Sequence, residues 1–322
     1  IINQNTRRPM MEYMKEVIKN IQNDDQLLFT YDPRPLNEDI KKYLEFYHLP
    51  SKNITYSYGY EKAASERLFI QSFRPLKVKA NILLLHGYYD HAGILGRAIR
   101  FFVGQGFHVL TFDLPGHGLS SGKRAVITDF SFYRDSVREI VHKHLSPSPF
   151  PVYSVSHSTG AGAVIDHLLN SEDRSPIEKA AFIGPLIRSY RWEVTTFGMK
   201  PLKMVTPELR RVFRSNSSDT NFLRFIKQDP LQHNKVPLCW LEALMKWNES
   251  LKERTPSLTP ILVIQGKKDT TVDWRYNIAL LQKKFPNIDV QLIKNGKHHL
   301  LNEKEPIRDQ VFSSIHKFFE KV

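Results

Sequence analysis

The chain has 322 residues, 41% of them hydrophobic and 11% aromatic, which is ample for a large buried core. Lys and Arg exceed Asp and Glu by 13, so the surface attracts anions such as phosphate-bearing substrates or lipid headgroups; nucleic-acid binding would rest on charge alone, with no supporting motif. The single cysteine, Cys239, excludes an intrachain disulfide and a thiolate metal site, and no apolar run approaches the roughly 20 residues of a membrane span.

The first 50 residues read as a helical extension, because Met10, Met14, Val17 and Ile21, then Leu36, Ile40, Tyr43, Leu44 and Tyr47, recur at helix-face spacing. Asp32-Pro33-Arg34-Pro35 separates the two helices. The amphipathic stretch from Met10 to Ile21, flanked by Arg7 and Arg8, is expected to pack on the body, with membrane contact as the alternative. Residues 54–60, 67–73, 81–86, 107–113, 152–155, 180–187, 260–265 and 290–293 read as strands, with helices over 130–145, 160–170 and 306–322. This alternation predicts an α/β fold with a mostly parallel central sheet flanked by helices.

Residues 188–252 do not fit the alternation and are expected to form a helical cap inserted into a core of residues 51–187 and 253–322. Between residues 188 and 235, ten Lys or Arg stand against four Asp or Glu, a net of +6. The same segment is rich in large apolar residues, among them Trp192, Phe197, Met199, Leu202, Met204 and Phe213. An apolar lining with a cationic exterior suits an amphiphile with an acyl chain and an anionic head. Trp192, Phe197 and Phe213 are the expected substrate-binding residues.

Ser156-His157-Ser158-Thr159-Gly160 lies between an apolar strand and a helix rich in small residues. A strand-turn-helix elbow that exposes a nucleophile needs small residues two before and two after it, and Ser156 and Gly160 meet that need, although glycine is usual at both. Ser158 is therefore the expected nucleophile. Asp269 follows a strand, at the sheet edge where open parallel sheets bind ligands, and Asp273 is its rival. A further strand leads to His298 and His299, and the order Ser, Asp, His is the one such an elbow predicts. The loop after the third strand, His86-Gly87-Tyr88-Tyr89-Asp90-His91, points to the backbone amides of Tyr88 and Thr159 as oxyanion donors. Neither spacing nor a third ligand makes His86, His91 and Asp90 a metal site. His142 and His144 are expected at the surface.

Together, His86-Gly87-x-x-Asp90-His91, the run from Asp113 to Gly122, the elbow at Ser158, Asp269 and the tail from His298 to Glu303 resemble the α/β-hydrolase superfamily. More narrowly they are similar to the lysophospholipase and monoacylglycerol lipase group, which is related to some serine aminopeptidases. The resemblance runs from about Asn53 to Val322 and implies a Ser, Asp, His triad under a cap that shapes an acyl-binding pocket, with Asp113 and His117 as structural members of a turn. It implies an ester hydrolase that needs no metal or organic cofactor, with serine aminopeptidase, acyltransferase and non-catalytic binding protein as alternatives. The tail departs from the family pattern, being one residue shorter between Gly296 and Asn302. Anchoring on Leu300 to Glu303, which the following helix fixes more firmly than a glycine turn does, selects His298 as the expected base, and anchoring on Gly296 gives His299 as the alternative. A lipid ester is the expected partner, with peripheral contact to an anionic membrane. The chain begins at Ile1 rather than Met, so the expected cytoplasmic or membrane-peripheral location leaves export after loss of a leader open.

Overall fold

The computed structural model describes residues 4–170, 175–203 and 205–321, without the side chains of residues 4–10 and 199–203. Met204, and the side chains of Arg7, Arg8, Met10, Met199 and Leu202, thus lie outside the described residues. In chain order the elements are α1 (Gln4–Asn23), α2 (Glu38–Phe46), β1 (Ile54–Ala63), β2 (Glu66–Pro75), β3 (Ala80–Leu85), α3 (Gly96–Gly104), β4 (Phe107–Phe112), α4 (Ser131–His144), β5 (Val152–His157), α5 (Thr159–Leu168) and β6 (Ile177–Ile183). There follow α6 (Trp192–Lys203), β7 (Glu208–Arg210), α7 (Thr220–Gln228), β8 (Lys235–Pro237) and α8 (Leu238–Ser250), then β9 (Ile261–Gly266), α9 (Trp274–Lys284), β10 (Ile288–Ile293) and α10 (Ile307–Glu320).

Eight strands form one sheet in the order β1-β2-β4-β3-β5-β6-β9-β10. The pairs β1 with β2 and β2 with β4 are antiparallel, and all others are parallel. Parallel strands need both faces covered, and the side chains show how: along β3, Ile82 and Leu84 join one apolar cluster while Leu83 and Leu85 join another. β9 divides in the same way, with Leu262 and Ile264 on one side and Ile261 and Val263 on the other. The first cluster is closed by α3, α10 and the N-terminal helices, the second by α4, α5, α8 and α9.

The N-terminal helices pack as part of the body. α1 buries Met14, Val17, Ile18 and Ile21 in the first cluster, each worth roughly 1.5–3 kcal/mol of burial. Asn37 caps α2 by accepting the Asp39 amide at 2.7 Å. The connecting segment adds backbone bonds, Phe29 donating to Tyr60 at 2.9 Å and Tyr60 to Leu27 at 2.7 Å. His142 and His144, expected at the surface, are half-buried, and His144 meets the Phe29 ring at 4.9 Å. The N-terminal segment covers that end of α4, which a reading of α4 alone does not reveal.

Candidate active site

β5 runs into Ser158, whose backbone takes φ 51° and ψ −114°, and α5 begins at the next residue. A non-glycine residue at positive φ is strained, and here the strain aims the side chain out of the turn. Gly160 is required by space: a Cβ there would lie 2.4 Å from the His86 carbonyl oxygen and 2.8 Å from the Leu85 Cβ. Ser156 fits within buried β5 with no hydrogen-bond partner for its hydroxyl, so its place is set by size rather than polarity.

The C-terminal ends of β5 and β9 and the loop after β10 bring three predicted residues together. Ser158 Oγ lies 3.0 Å from His298 Nε2, and His298 Nδ1 lies 2.7 Å from Asp269 Oδ2. Because the carboxylate accepts from Nδ1, the other ring nitrogen is free to accept the serine proton. All three groups are buried, at 5% exposure for Ser158, 4% for Asp269 and 3% for His298. Burial alone would raise the Asp269 carboxyl, but the His298 ring, the Thr271 amide and the Gln265 side chain outweigh it and hold the group down at about 2. Asp269 Oδ1 accepts the amides of Thr271 at 2.7 Å and Val272 at 3.2 Å, which fixes the carboxylate plane. Asp273 instead caps α9, accepting the Tyr276 amide at 3.4 Å.

His299 turns away from Ser158. Its Nε2 faces Asp90 Oδ2 at 3.7 Å, its amide donates to the Asn216 carbonyl at 2.8 Å, and its ring meets Phe222 of α7 at 5.3 Å. Burial holds it neutral, pushing its titration down to about 3. The oxyanion loop passes close to the nucleophile: a Cβ on Gly87 would stand 3.0 Å from the Ser158 Cβ and 2.9 Å from His157 Nδ1. Among the described residues the amides of Tyr88 and Thr159 have no hydrogen-bond acceptor, leaving two donors beside Ser158. The Tyr88 ring stacks on Trp240 at 3.8 Å and its hydroxyl donates to the Ala125 carbonyl at 2.6 Å, which holds the loop.

Asp113 braces the site from behind by accepting the amides of Ala92 at 2.6 Å and Leu119 at 2.7 Å. His117 donates to the Pro115 carbonyl within the same turn. His86 accepts the Leu114 amide at 2.9 Å, and His91 pairs with Asp229 at 2.8 Å. Asp90, His157 and His299 are the described residues whose ligand atoms converge, all within 4.8 Å of one another.

Of the residues expected to line an acyl site, Trp192 is buried beside α8, and Phe213 lies under the Arg211 guanidinium at 4.4 Å. Phe197, also expected there, is 90% exposed on α6. Apolarity marked it, but the helix turns that position to solvent. A further set of residues was missed. The polar string before α7 is tied to the histidine loop through Glu303, which accepts the amides of Ser218 at 2.6 Å and Lys297 at 2.9 Å. Lys297 Nζ donates to Ser215 Oγ at 2.9 Å and to the Ser217 carbonyl at 3.1 Å. The signal available was the polar string from Ser215 to Thr220, which interrupts the helical patterns of the segment.

A buried serine, imidazole and carboxylate in line at the edge of a mostly parallel sheet, with the serine on a strained elbow, define a serine hydrolase of the α/β-hydrolase fold. The family described as serine aminopeptidase, S33, matches residues 76–305, and the chain belongs to that family. Monoglyceride lipase from Homo sapiens is 27% identical over 268 residues, 79% of this chain and 86% of the relative. Probable lysophospholipase L2 from Haemophilus influenzae is 24% identical over 253 residues, 67% of this chain and 76% of the relative. A soluble variant of monoglyceride lipase from Saccharomyces cerevisiae, solved with a substrate analogue, superposes with a TM-score of 0.71 at 19% identity, covering 81% of this chain and 94% of that one.

Proposed function

We propose that the chain hydrolyses single-chain lipid esters, monoacylglycerol or lysophospholipid, through an acyl-enzyme on Ser158. The observation that carries the reading is the line from Ser158 Oγ through His298 to Asp269, at 3.0 and 2.7 Å. Ser158 Oγ attacks the ester carbonyl carbon as His298 Nε2 takes its proton, and Asp269 holds the imidazole in the required tautomer and balances the imidazolium. The amides of Tyr88 and Thr159 receive the oxyanion. His298 then returns the proton to the leaving glycerol oxygen, and water, activated by the same histidine, releases the fatty acid. The names of the relatives, lipases and a lysophospholipase, support an ester substrate of this class.

In this reading residues 188–252 are the cap over a core of residues 51–187 and 253–322, preceded by the helical extension 1–50. Val194 and Phe197, exposed on α6, with Arg191 beside them, suit contact with an anionic membrane surface. The family description favours a second reading, an aminopeptidase, which needs a carboxylate to hold the substrate ammonium. Three of the four acidic residues in 188–235 already have partners: Glu208 with Lys235, Asp219 with Arg97 and Asp229 with His91. Glu193 is exposed on α6. That distribution favours the ester.

The test is release of fatty acid from monoacylglycerol, lysophosphatidylcholine and lysophosphatidylglycerol, with an aminoacyl p-nitroanilide as the peptidase control and an added alcohol to detect acyl transfer. Turnover on the lipids that vanishes in Ser158→Ala supports the proposal. Lipid cleavage that survives Ser158→Ala, or cleavage of the anilide alone, overturns it.

A further inference from the structure

Arg211 is a cation that the reaction proposed above does not use. It follows β7, and its amide donates to the Asn234 carbonyl at 2.9 Å, which anchors it to the chain entering β8. Its Nη1 donates to Gln232 Oε1 at 2.7 Å and to the His233 carbonyl at 3.0 Å. The guanidinium lies 4.0 Å over the Tyr89 ring and 4.4 Å from the Phe213 ring, so two aromatic faces and two acceptors hold it in one orientation. Tyr89 is the neighbour of Tyr88, whose ring it meets at 4.1 Å. The Arg211 charge also acts on Asp90 in the same loop and on His299 beside the catalytic histidine. The guanidinium therefore sits directly on the loop that carries Tyr88.

Its charge is not matched there. Among the described residues Arg211 forms no ion pair, and its Nε and Nη2 donors have no acceptor. Asp90, the carboxylate that feels its charge, already faces His157 at 3.6 Å and His299 at 3.7 Å. Arg211 is half-buried and its Nε and Nη2 face solvent, so the held guanidinium offers an open donor edge whose planar fork matches phosphate oxygens two at a time. A structural clamp on the turn between α7 and β8 would need only Nη1.

We propose that Arg211 binds the phosphate of a lysophospholipid whose ester carbonyl is held at Ser158, so that phosphodiester-bearing single-chain lipids are preferred to neutral monoacylglycerols. The proposal rests on the ester-hydrolase reading and names the substrate class within it. In a lysophospholipid the phosphate lies across the glycerol from the scissile ester, and here the fork covers Tyr89, the neighbour of the oxyanion donor Tyr88.

The experiment compares kcat/KM for lysophosphatidylglycerol and for monoacylglycerol of the same acyl chain, as monomers, in the wild type, Arg211→Met and Arg211→Lys. Loss of a charge-assisted pair lowers the ratio of the two by about tenfold to a hundredfold in Arg211→Met, and by less in Arg211→Lys, which keeps the charge but not the fork. An unchanged ratio in an enzyme that still needs Ser158 overturns the assignment of Arg211 and leaves the ester-hydrolase reading standing. Absence of Ser158-dependent cleavage of either lipid overturns both. Where Arg211→Met fails to fold by thermal melting, the wild type decides through competitive inhibition. Glycerol 3-phosphate inhibiting far more strongly than either glycerol or inorganic phosphate supports the headgroup site. Equal inhibition by glycerol 3-phosphate and glycerol overturns it, and equal inhibition by glycerol 3-phosphate and inorganic phosphate overturns its assignment to a lipid.

Discussion

Asp269→Asn separates geometry from charge within the proposed triad. The side chain keeps its shape, and the oxygen that accepts the amides of Thr271 and Val272 remains. The change falls on Oδ2, which accepts from His298 Nδ1 at 2.7 Å and from Gln265 Nε2 at 3.0 Å. Replaced by an amide NH2, that position donates. Gln265 can meet the new donor by rotating its amide to present Oε1, which has no partner, at the cost of the bond its Nε2 gives the Gly266 carbonyl at 3.0 Å. His298 absorbs it by shifting its proton to Nε2, the nitrogen 3.0 Å from Ser158 Oγ, which can then no longer accept the serine proton. The variant also loses the carboxylate that balances the imidazolium, and the group is fully ionised at neutral pH, since its titration lies at about 2. Wrong tautomer and lost charge together predict a fall in kcat of about 10⁴-fold, or about 5 kcal/mol in the barrier, with KM little changed. The native state loses only the linkage from the depressed carboxyl, about 2 kcal/mol, and stays folded. The assay is acyl-enzyme formation with a p-nitrophenyl ester in a single turnover, beside a urea melt. A folded Asp269→Asn that acylates within tenfold of the wild type refutes the reasoning.

His298→Gln is expected to lower kcat by about 10³-fold or more while His299→Gln stays within about tenfold, because only His298 reaches Ser158; rate constants for both variants check this, and equal losses would contradict it. Burial depresses His86 and His299 to about 3, and His108 and His117 to about 4, so between the ordinary imidazole value and those values the unfolded chain binds more protons than the native one. Stability is then full above about pH 6.5 and falls as the pH drops, by at most about 2 kcal/mol per histidine by pH 5. His91, raised by the Asp229 carboxylate against its burial, works in the opposite sense and loses its contribution as the pH rises. A urea midpoint that holds or climbs from pH 7 to pH 5 would contradict the net direction.

The elbow was legible because its requirement is local: a strained turn between strand and helix admits only small flanking residues, and Ser156, Gly160 and the apolar residues of β5 are consecutive in the chain. The parallel sheet was legible for a related reason, since strands buried on both faces are unbroken apolar runs, as in β3 and β9. Asp269 could be placed because it closes such a run. The choice between His298 and His299 rested on which neighbouring residues anchor the tail, and two anchors gave two answers. Both sit in an irregular loop, and its side-chain directions follow from distant contacts, the His299 amide on Asn216 and Glu303 on Ser218 and Lys297. Apolar periodicity likewise marked both Trp192 and Phe197, yet only packing against α8 decides that the first is buried while the second faces solvent. The same holds for the extension. Its helices were visible in their spacing, but it took the folded chain to bring Tyr47 to Asp229 at 2.8 Å, and Asp229 to His91 behind the oxyanion loop. Sequence by itself determined what consecutive residues must satisfy among themselves. The tertiary structure alone decided which residues far apart in the chain share one desolvated space, because that depends on how whole elements pack.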